Sequence, residues 1–423
     1  MKGRSLCLVI FSSLVTSAVA HDHDAVDIPE GEYISVEPID SILWAHIAIM
    51  MISFGLCFPV GMVLGLNRHR FHIPVQVFGT VLAIAGYFLG HSHKGREFSS
   101  GNVHSSFARF LMPFMFAQIA VGVFLKMHLE RGLLGRIRGG VVKIHMVFGA
   151  LMPVFSWVQM GFGGIVALGF CHGDHLGQCL AHGIMGSAFI AYGCILAIML
   201  LVGQGWLART GYSQEFLDSA VITAWGIVNT FTEHRWGQKW SHGDYQHTSM
   251  GIVWWAAGLI GLLLSRSHGR PKRNFIPSFV IILTGWAMSV HAQHLELSTK
   301  VHAMFGYALM SAGLFRLIEI GFILRDAPTE GDPHSWQYMP PFLLVASGFL
   351  FMCANEEQLM LIYQNGIDHS SYTLIIFSLS CVVFFYFLIL IRLWQQTSGN
   401  DGMAIKYEVA GDDSSMDLEM DEA

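Results

Sequence analysis

Apolar segments, each long enough to cross a lipid bilayer, recur along almost the whole chain. About 20 helical residues cross a hydrocarbon core of about 30 Å. Segments of that kind lie near 41–66, 73–92, 104–126, 142–170, 180–204, 216–233, 247–265, 275–293, 301–325, 340–363 and 371–394. Backbone polar groups find no water inside lipid, so such segments fold as helices. The sequence therefore predicts an all-α, polytopic integral membrane protein with about 11 transmembrane helices.

The charge content supports this class and excludes others. Only 13% of the 423 residues are charged, against about 25% in a soluble domain. The net charge of -6 offers nothing that attracts a polyanion, so no nucleic-acid partner is expected and the lipid bilayer is the predicted partner. Nucleophile elbows, P-loops and dinucleotide fingerprints are absent from the sequence.

Both chain ends differ from the apolar middle. Residues 1–20 begin with Lys2 and Arg4, continue as an apolar run and end in small residues, which is typical of a signal peptide; a signal anchor is the alternative. Residues 21–40 form an acidic segment, predicted to be luminal. Residues 395–423 are polar and acidic, and we expect a disordered cytosolic tail.

The basic residues of the loops predict an orientation. With a luminal or extracellular N-terminus, most loop Lys and Arg residues and the C-terminus lie in the cytosol, as the positive-inside rule requires. This orientation places the protein in a secretory-pathway membrane, either the ER, the vacuole or the plasma membrane. On the luminal side, Cys171 and Cys179 bracket a polar loop and could form a disulfide there. Two free thiols are the alternative.

Histidine recurs with a small residue one helical turn later. His145, His182, His247 and His302 are each followed by Gly at i+4, near the start of an apolar segment. Positions i and i+4 share a helix face, so each Gly leaves a gap beside the imidazole that a flat macrocycle would need. The alternative is that these glycines let helices pack closely.

The first four segments each carry one histidine near their beginning: His46, His72, His104 and His145. Consecutive segments run in opposite directions, so His46 and His104 come to the luminal side and His72 and His145 to the cytosolic side. Two imidazoles from facing helices are what six-coordinate b-type haem iron needs. The sequence thus predicts two haems, one at each side of the bilayer.

Two resemblances support this interpretation. The strings WAHIAIMMISFGLCFPVG, HIPVQVFGTVLAIAGYFLGHSH, HSSFARFLMPFMFAQIAVGVFL and KIHMVFGALMPVFSWVQMGFG resemble the four-helix core of cytochrome b561, a family of ascorbate-linked di-haem proteins. That resemblance implies a cytochrome-like domain over 41–170, with His46 paired to His104 and His72 to His145. Nearly the whole chain, including HGDHLGQCLAHGIMGSAFIAYG and TEHRWGQKWSHGDYQH, resembles the fungal YTP (yeast putative transmembrane) proteins. The remaining seven segments are predicted to form a second, YTP-like transmembrane domain over 171–394.

The second domain concentrates imidazoles and carboxylates on the predicted luminal side. The candidate metal ligands are His182, Glu233, His234, His242, His247, His291, His294 and His302. This donor set suits zinc, copper or iron, and His182, His247 or His302 could also hold a further haem. A proton-coupled pathway and a merely hydrated surface are the alternatives. Arg316 and Glu319, at i and i+3, are predicted to form an ion pair.

Three functions remain open at this point. The first is transmembrane electron transfer through bis-His b-type haem, with a small redox donor and with luminal metal ions as acceptors, which would make the protein an oxidoreductase of the metal-reductase type. The second is a zinc, copper or iron transporter or binding protein that uses the luminal His/Glu cluster without redox chemistry. The third is a haem-free structural membrane protein.

Overall fold

The structure is a computed structural model that describes residues 32–128, 132–234, 237–290, 293, 295–324 and 332–398. The predicted signal peptide lies outside the described residues, as do residues 21–31 of the acidic segment and residues 399–423 of the tail. His291 and His294 are outside them too, and for His242 only the backbone is described.

The described chain is almost entirely helical. Its helices are α1 (Ser41–Leu66), α2 (His72–Gly90), α3 (Val103–Lys126), α4 (Gly132–Leu168), α5 (Gly173–Thr210), α6 (Gln214–Thr232), α7 (His242–Leu264), α8 (Ile276–Ser289), α9 (Glu296–Leu324), α10 (Ser335–Met352), α11 (Glu356–Gln364) and α12 (His369–Thr397). A short antiparallel hairpin, β1 (Arg266–Ser267) and β2 (Arg270–Pro271), follows α7. Its two-residue turn has positive φ at both His268 and Gly269, as a tight hairpin requires.

The prediction of an all-α, polytopic membrane protein is confirmed, but the number 11 is not. Among the described residues, eight helices are long and apolar enough to span a bilayer, or nine if α10 and α11 form one bent span. α10 and α11 meet at 78° because Asn355 caps a new helix there, accepting the N–H of Gln358. α8 has only 14 residues, and α6 is not apolar enough because it buries polar side chains.

The chain divides into two compact units. The first unit contains the described chain up to Met62 together with Arg70–Phe170, and thus most of α1 and all of α2, α3 and α4. The second contains Val63–His69 and the described chain from Cys171 onward, with α5 to α12.

Many large apolar side chains point away from the protein interior. In α12, Leu374, Ile375, Val382 and Phe385 are 60% exposed or more. An apolar surface of this extent is unfavourable in water but is the expected surface of a helix that contacts lipid. The exposure pattern therefore agrees with contact between these helices and the bilayer.

In the first unit, the segment before α1 folds back on the loop between α2 and α3. Ser35 N–H donates to Glu97 O, and Arg96 N–H donates to Pro38 O. Asp40 caps α1 by accepting the N–H of Leu43 at 2.8 Å and also accepts the N–H of Lys94. These backbone donors lower the pKa of the Asp40 carboxyl. The segment thereby joins the ends of α1, α2 and α3.

In the second unit, glycines let pairs of helices touch backbone to backbone. A Cβ at Gly306 would lie 2.4 Å from Gly285 O, and a Cβ at Gly186 would lie 2.6 Å from Gly348 O. A Cβ at Gly251 would come within 2.7 Å of Thr230 N. For these three His-x-x-x-Gly motifs, the interpretation that Gly leaves room for a macrocycle is wrong. The neighbouring helix fills that room, as the packing alternative holds.

Candidate functional site

His46 and His104 lie together at one end of the first unit. Their ring centroids are 6.3 Å apart and their ring planes are nearly perpendicular, at 88°. His46 Nδ1 is 2.7 Å from Gly86 O of α2, and His104 Nδ1 is 3.2 Å from Gln159 O of α4. The amide Nε2 of Gln159 contacts the other ring nitrogen of His104 at 3.4 Å.

His72 and His145 repeat this arrangement at the other end of the same helices. Their centroids are also 6.3 Å apart, with an angle of 85° between the planes. His72 Nδ1 is 2.7 Å from Gly61 O of α1. His145 Nδ1 is buried without a hydrogen-bond partner among the described residues. Gly61 lies 15 residues after His46, so the two pairs are about 22 Å apart along α1.

The spacing of both pairs matches that of two imidazoles on opposite sides of one metal ion. An imidazole nitrogen binds a metal at about 2 Å and lies about 1.1 Å from its ring centroid, so trans ligation separates two centroids by about 6 Å. In each of three rings, Nδ1 contacts a backbone carbonyl oxygen, which accepts its hydrogen and leaves Nε2 as the nitrogen that can bind a metal; in His104 the Gln159 amide now contacts that nitrogen. The four histidines therefore fit bis-His ligation.

Glycines adjoin three of these four rings. A Cβ at Gly90 would lie 2.7 Å from His46 Nδ1, one at Gly163 would lie 3.3 Å from His104 Nδ1, and one at Gly122 would lie 3.4 Å from His145 Cε1. At Gly90, such an approach is closer than real Cβ atoms make, so any other residue would displace the ring. The glycines that matter to these rings thus lie on the neighbouring helix, not one turn later on the same helix.

Aromatic rings line α3 and α4 between the two pairs. Phe107 contacts Phe162 at 5.5 Å and Phe110 at 5.6 Å between centroids. Phe155 contacts Phe110 at 5.8 Å and Phe114 at 5.1 Å. The series starts in the turn after His104 and reaches the Phe148 ring, 5.2 Å from Phe114 and one turn after His145. A series of neighbouring aromatic rings thus runs along α3 and α4 from the turn after His104 to the turn after His145.

The predicted metal ligands of the second unit form small groups rather than one centre. His182 and His302 are paired, with centroids 5.7 Å apart and planes at 89°. His234 Nδ1 lies 3.0 Å from Asp244 Oδ2, and its ring stacks on Trp240. His247 Nδ1 lies 3.1 Å from Glu233 Oε2.

The cysteines that bracket the predicted loop are joined. Cys171 and Cys179 form a disulfide with their Cα atoms 5.4 Å apart, and Glu357 Oε2 accepts the N–H of Cys171 at 2.8 Å. These two sulfurs and the Glu357 carboxylate make up the one group of three potential metal donors within 4.8 Å of one another in the described part of the chain. Sulfurs in a disulfide are not thiolates, so this group is not a metal site while the bond is present.

A buried ion cluster in the second unit extends the predicted Arg316–Glu319 pair. Arg316 Nη1 lies 2.5 Å from Glu319 Oε2, and Arg316 Nη2 donates to Glu215 Oε1 at 2.7 Å. Arg273 donates to the same Glu215 oxygen at 3.1 Å, and Tyr192 donates its hydroxyl hydrogen to Asp218. Glu215 is only 1% exposed. A charge buried this completely must be paired to be tolerated.

Several of these polar residues are missed by pattern analysis of the sequence. Glu215 falls one residue outside the predicted segment 216–233, and Arg273 falls in a loop. Gln118 Nε2, which donates to His145 O at 2.8 Å, belongs to no recognisable motif. A polar side chain inside an apolar segment is a signal in itself, and Gln118, Gln159 and Asp218 could have been found by that criterion.

These features define the class of protein: a polytopic α-helical membrane protein with paired histidines in one helical unit and a buried ion cluster in the other. Residues 155–395 match the family described as Protein YTP1-like, C-terminal, and residues 26–128 match a domain of unknown function, DUF2427. The first match covers more than half of the chain, which therefore belongs to the YTP1-like family.

Three relatives support the family and the membrane class. Protein YTP1 of Saccharomyces cerevisiae is 50% identical over 282 residues, which cover 66% of this chain and 61% of that protein. The uncharacterized membrane protein C3B8.06 of Schizosaccharomyces pombe is 24% identical, covering 82% of this chain and 92% of that protein. The uncharacterized membrane protein YCR061W of S. cerevisiae is 25% identical, covering 49% and 41%. No solved structure matches the chain.

Proposed function

We propose that this protein transfers electrons across a membrane through two bis-His b-type haems, held by His46 with His104 and by His72 with His145. One observation carries the proposal: two pairs of orthogonal imidazoles with the same 6.3 Å spacing lie at opposite ends of the same four helices. The resemblance of residues 41–170 to the cytochrome b561 core supports the same pairing.

The chain's own residues prepare the imidazoles for this role. The carbonyl oxygens of Gly86, Gly61 and Gln159 each fix one ring in the tautomer that presents Nε2. A hydrogen bond at Nδ1 also raises the basicity of the opposite nitrogen, which strengthens it as a ligand. Bound haem supplies a one-electron couple, and ligation by two histidines leaves no position for oxygen, which favours electron transfer over oxygen binding.

The positive-inside rule supports a direction for this transfer. It places His72 and His145 on the cytosolic side, where a small redox donor would act, and His46 and His104 on the luminal side of a secretory-pathway membrane. Luminal metal ions are the proposed acceptors, so the reaction class is that of a transmembrane metal reductase.

Metal binding or transport without redox chemistry is the second candidate function. It is favoured by the contacts of His247 with Glu233 and of His234 with Asp244 in the second unit. A carboxylate on one ring nitrogen is a common support for a histidine that binds a metal through the other.

Absorption spectra of the purified full chain, oxidised and dithionite-reduced, test the electron-transfer proposal. We expect a Soret band, and we expect His104→Ala to lower the haem content by about half because one of two bis-His sites is lost. His175→Ala is the matched control, because His175 is exposed and belongs to neither pair. Absence of the Soret band, even after reconstitution with haem, would reject the proposal.

A further inference from the structure

The pair of His182 and His302 differs from the two pairs in the first unit. Its centroids are 5.7 Å apart rather than 6.3 Å, while its planes remain perpendicular at 89°. With nitrogens about 2 Å from a shared ion, this shorter spacing corresponds to a nitrogen–metal–nitrogen angle of about 130° instead of a linear one. Haem iron needs its two axial ligands in line, whereas zinc and copper accept bent ligands.

The surroundings of this pair also favour a bare ion over a macrocycle. Gly186 and Gly306, one turn after each histidine, are packed against the backbone of a neighbouring helix. The ring of Phe351 stacks on His182 with centroids 4.7 Å apart, and Phe305 contacts Phe351 at 4.8 Å. Both histidines are buried, at 8% and 3% exposure.

Both imidazoles are oriented as metal ligands are. Nδ1 of His182 lies 2.8 Å from Gln178 O, and Nδ1 of His302 lies 2.9 Å from Ser298 O, each one turn earlier on its own helix. Nε2 is therefore the nitrogen through which either ring would bind an ion. His182 Nε2 is buried and has no hydrogen-bond partner among the described residues, a state that a bound ion would relieve.

We infer that His182 and His302 bind one transition-metal ion of the kind that imidazole prefers, Cu⁺ or Zn²⁺. His247, whose Nδ1 contacts Glu233 Oε2, interacts electrostatically with His182 and is a candidate for a third ligand. No group of three donor atoms within 4.8 Å includes the His182–His302 pair in the described ranges, so ligation by His247 as well requires its side chain on α7 to move. This site is independent of the proposed haems.

The test compares metal retention by the purified full chain and its variants. Each protein is loaded separately with Zn²⁺ or with Cu⁺ kept reduced, dialysed, and analysed for metal per chain by mass spectrometry. We expect His182→Ala and His302→Gln each to retain about one ion fewer than the unmodified chain, because a site with one imidazole holds the ion weakly. The matched control, His175→Ala, removes an exposed histidine near the start of the same α5 helix and should retain as much as the unmodified chain.

Equal retention by all four proteins would overturn the inference. A loss of haem rather than of metal in His182→Ala would also overturn it, because the pair would then be a third haem site. X-ray absorption at the zinc or copper edge gives a second readout, expected to show nitrogen ligands at about 2 Å. A missing Soret band would reject the electron-transfer proposal and leave this metal measurement unaffected.

Discussion

At the scale of single residues, backbone carbonyls rather than side chains hold the paired histidines of the first unit. Three of the four rings contact a carbonyl of the neighbouring helix. That contact needs close helix packing, so small residues beside the rings matter as much as the histidines themselves.

Gly90→Ala tests this dependence on space. The added Cβ would lie 2.7 Å from His46 Nδ1 and must displace that ring, at a cost of about 1–3 kcal/mol. We expect the haem content to fall by about half while the His72–His145 site is retained, measured from the Soret band. Gly139→Ala is the control, because a Cβ there meets nothing within 4 Å. Identical haem loss in both variants would refute the role of Gly90.

Arg316→Leu tests the buried ion cluster. The change removes a cationic partner from Glu215 and Glu319, whose side chains are 1% and 4% exposed. Removing one partner of a buried pair costs about 3–5 kcal/mol, and we expect the free energy of unfolding in mixed micelles to fall by that amount. Lys300→Leu is the comparison, because Lys300 and Glu296 form an exposed pair, for which a change of about 1 kcal/mol or less is expected. If both variants lose similar free energy of unfolding, the buried position of the Arg316 cluster does not make it more important than the exposed pair.

At the scale of helices, hydropathy predicted where the apolar helices lie but not which of them are long and apolar enough to span a bilayer. Each of the 11 predicted segments contains a helix among its described residues, because a backbone in lipid must form its hydrogen bonds internally. α6 differs from the predicted apolar span because it buries Glu215 and Asp218 in the protein interior. This burial depends on Arg316, which is distant in the sequence and pairs with Glu215. The break at Asn355 arises because this residue caps a new helix. The high average hydropathy of segment 340–363 conceals such a local break.

Among the paired histidines, too, one part of the arrangement could be predicted from the sequence and another part could not. In the first unit, consecutive segments run in opposite directions, so histidines at the starts of alternate segments come to the same side, where the rings of each pair lie together. In the second unit, His182 of α5 contacts His302 of α9 although three helices lie between them along the chain. That contact depends on three-dimensional helix order, which hydropathy does not encode.

The N-cap of α12 provides a pH-dependent test of one helix. Hydrogen bonds from the Ser371 hydroxyl and from the N–H groups of Ser371 and Ser370 lower the pKa of Asp368 to about 2. A lowered pKa stabilises the fold above the unfolded value of about 4 and loses that contribution as pH falls towards 2. We therefore expect Asp368→Ala to lower the thermal midpoint at pH 6 and to match the unmodified chain near pH 2.

Asp368→Asn separates capping from charge in the same experiment. Asparagine also caps helices but has no carboxyl to titrate. Its thermal midpoint should stay close to that of the unmodified chain at pH 6 without the Asp368-dependent change between pH 4 and pH 2. If Asp368→Ala shows the unmodified midpoint at every pH, the cap does not stabilise α12.

At the scale of the whole molecule, the proposed orientation is open to chemical labelling. Gly139→Cys and His175→Cys introduce thiols at exposed positions on opposite predicted sides of the membrane. In sealed vesicles with the cytosolic face outward, an impermeant maleimide should label Gly139→Cys and spare His175→Cys. The unmodified chain reports the background from Cys57, Cys194, Cys353 and Cys381. The reverse labelling would invert the orientation, and with it the assigned direction of transfer.

The contacts between α1 and α2 have a mechanical consequence. His46 of α1 is held by a carbonyl of α2, while His72 of α2 is held by a carbonyl of α1. If one helix slides along the other, both contacts change at once, one at each end of the pair. A change in bilayer thickness that tilted one helix against the other would therefore alter the contacts of His46 and His72 together.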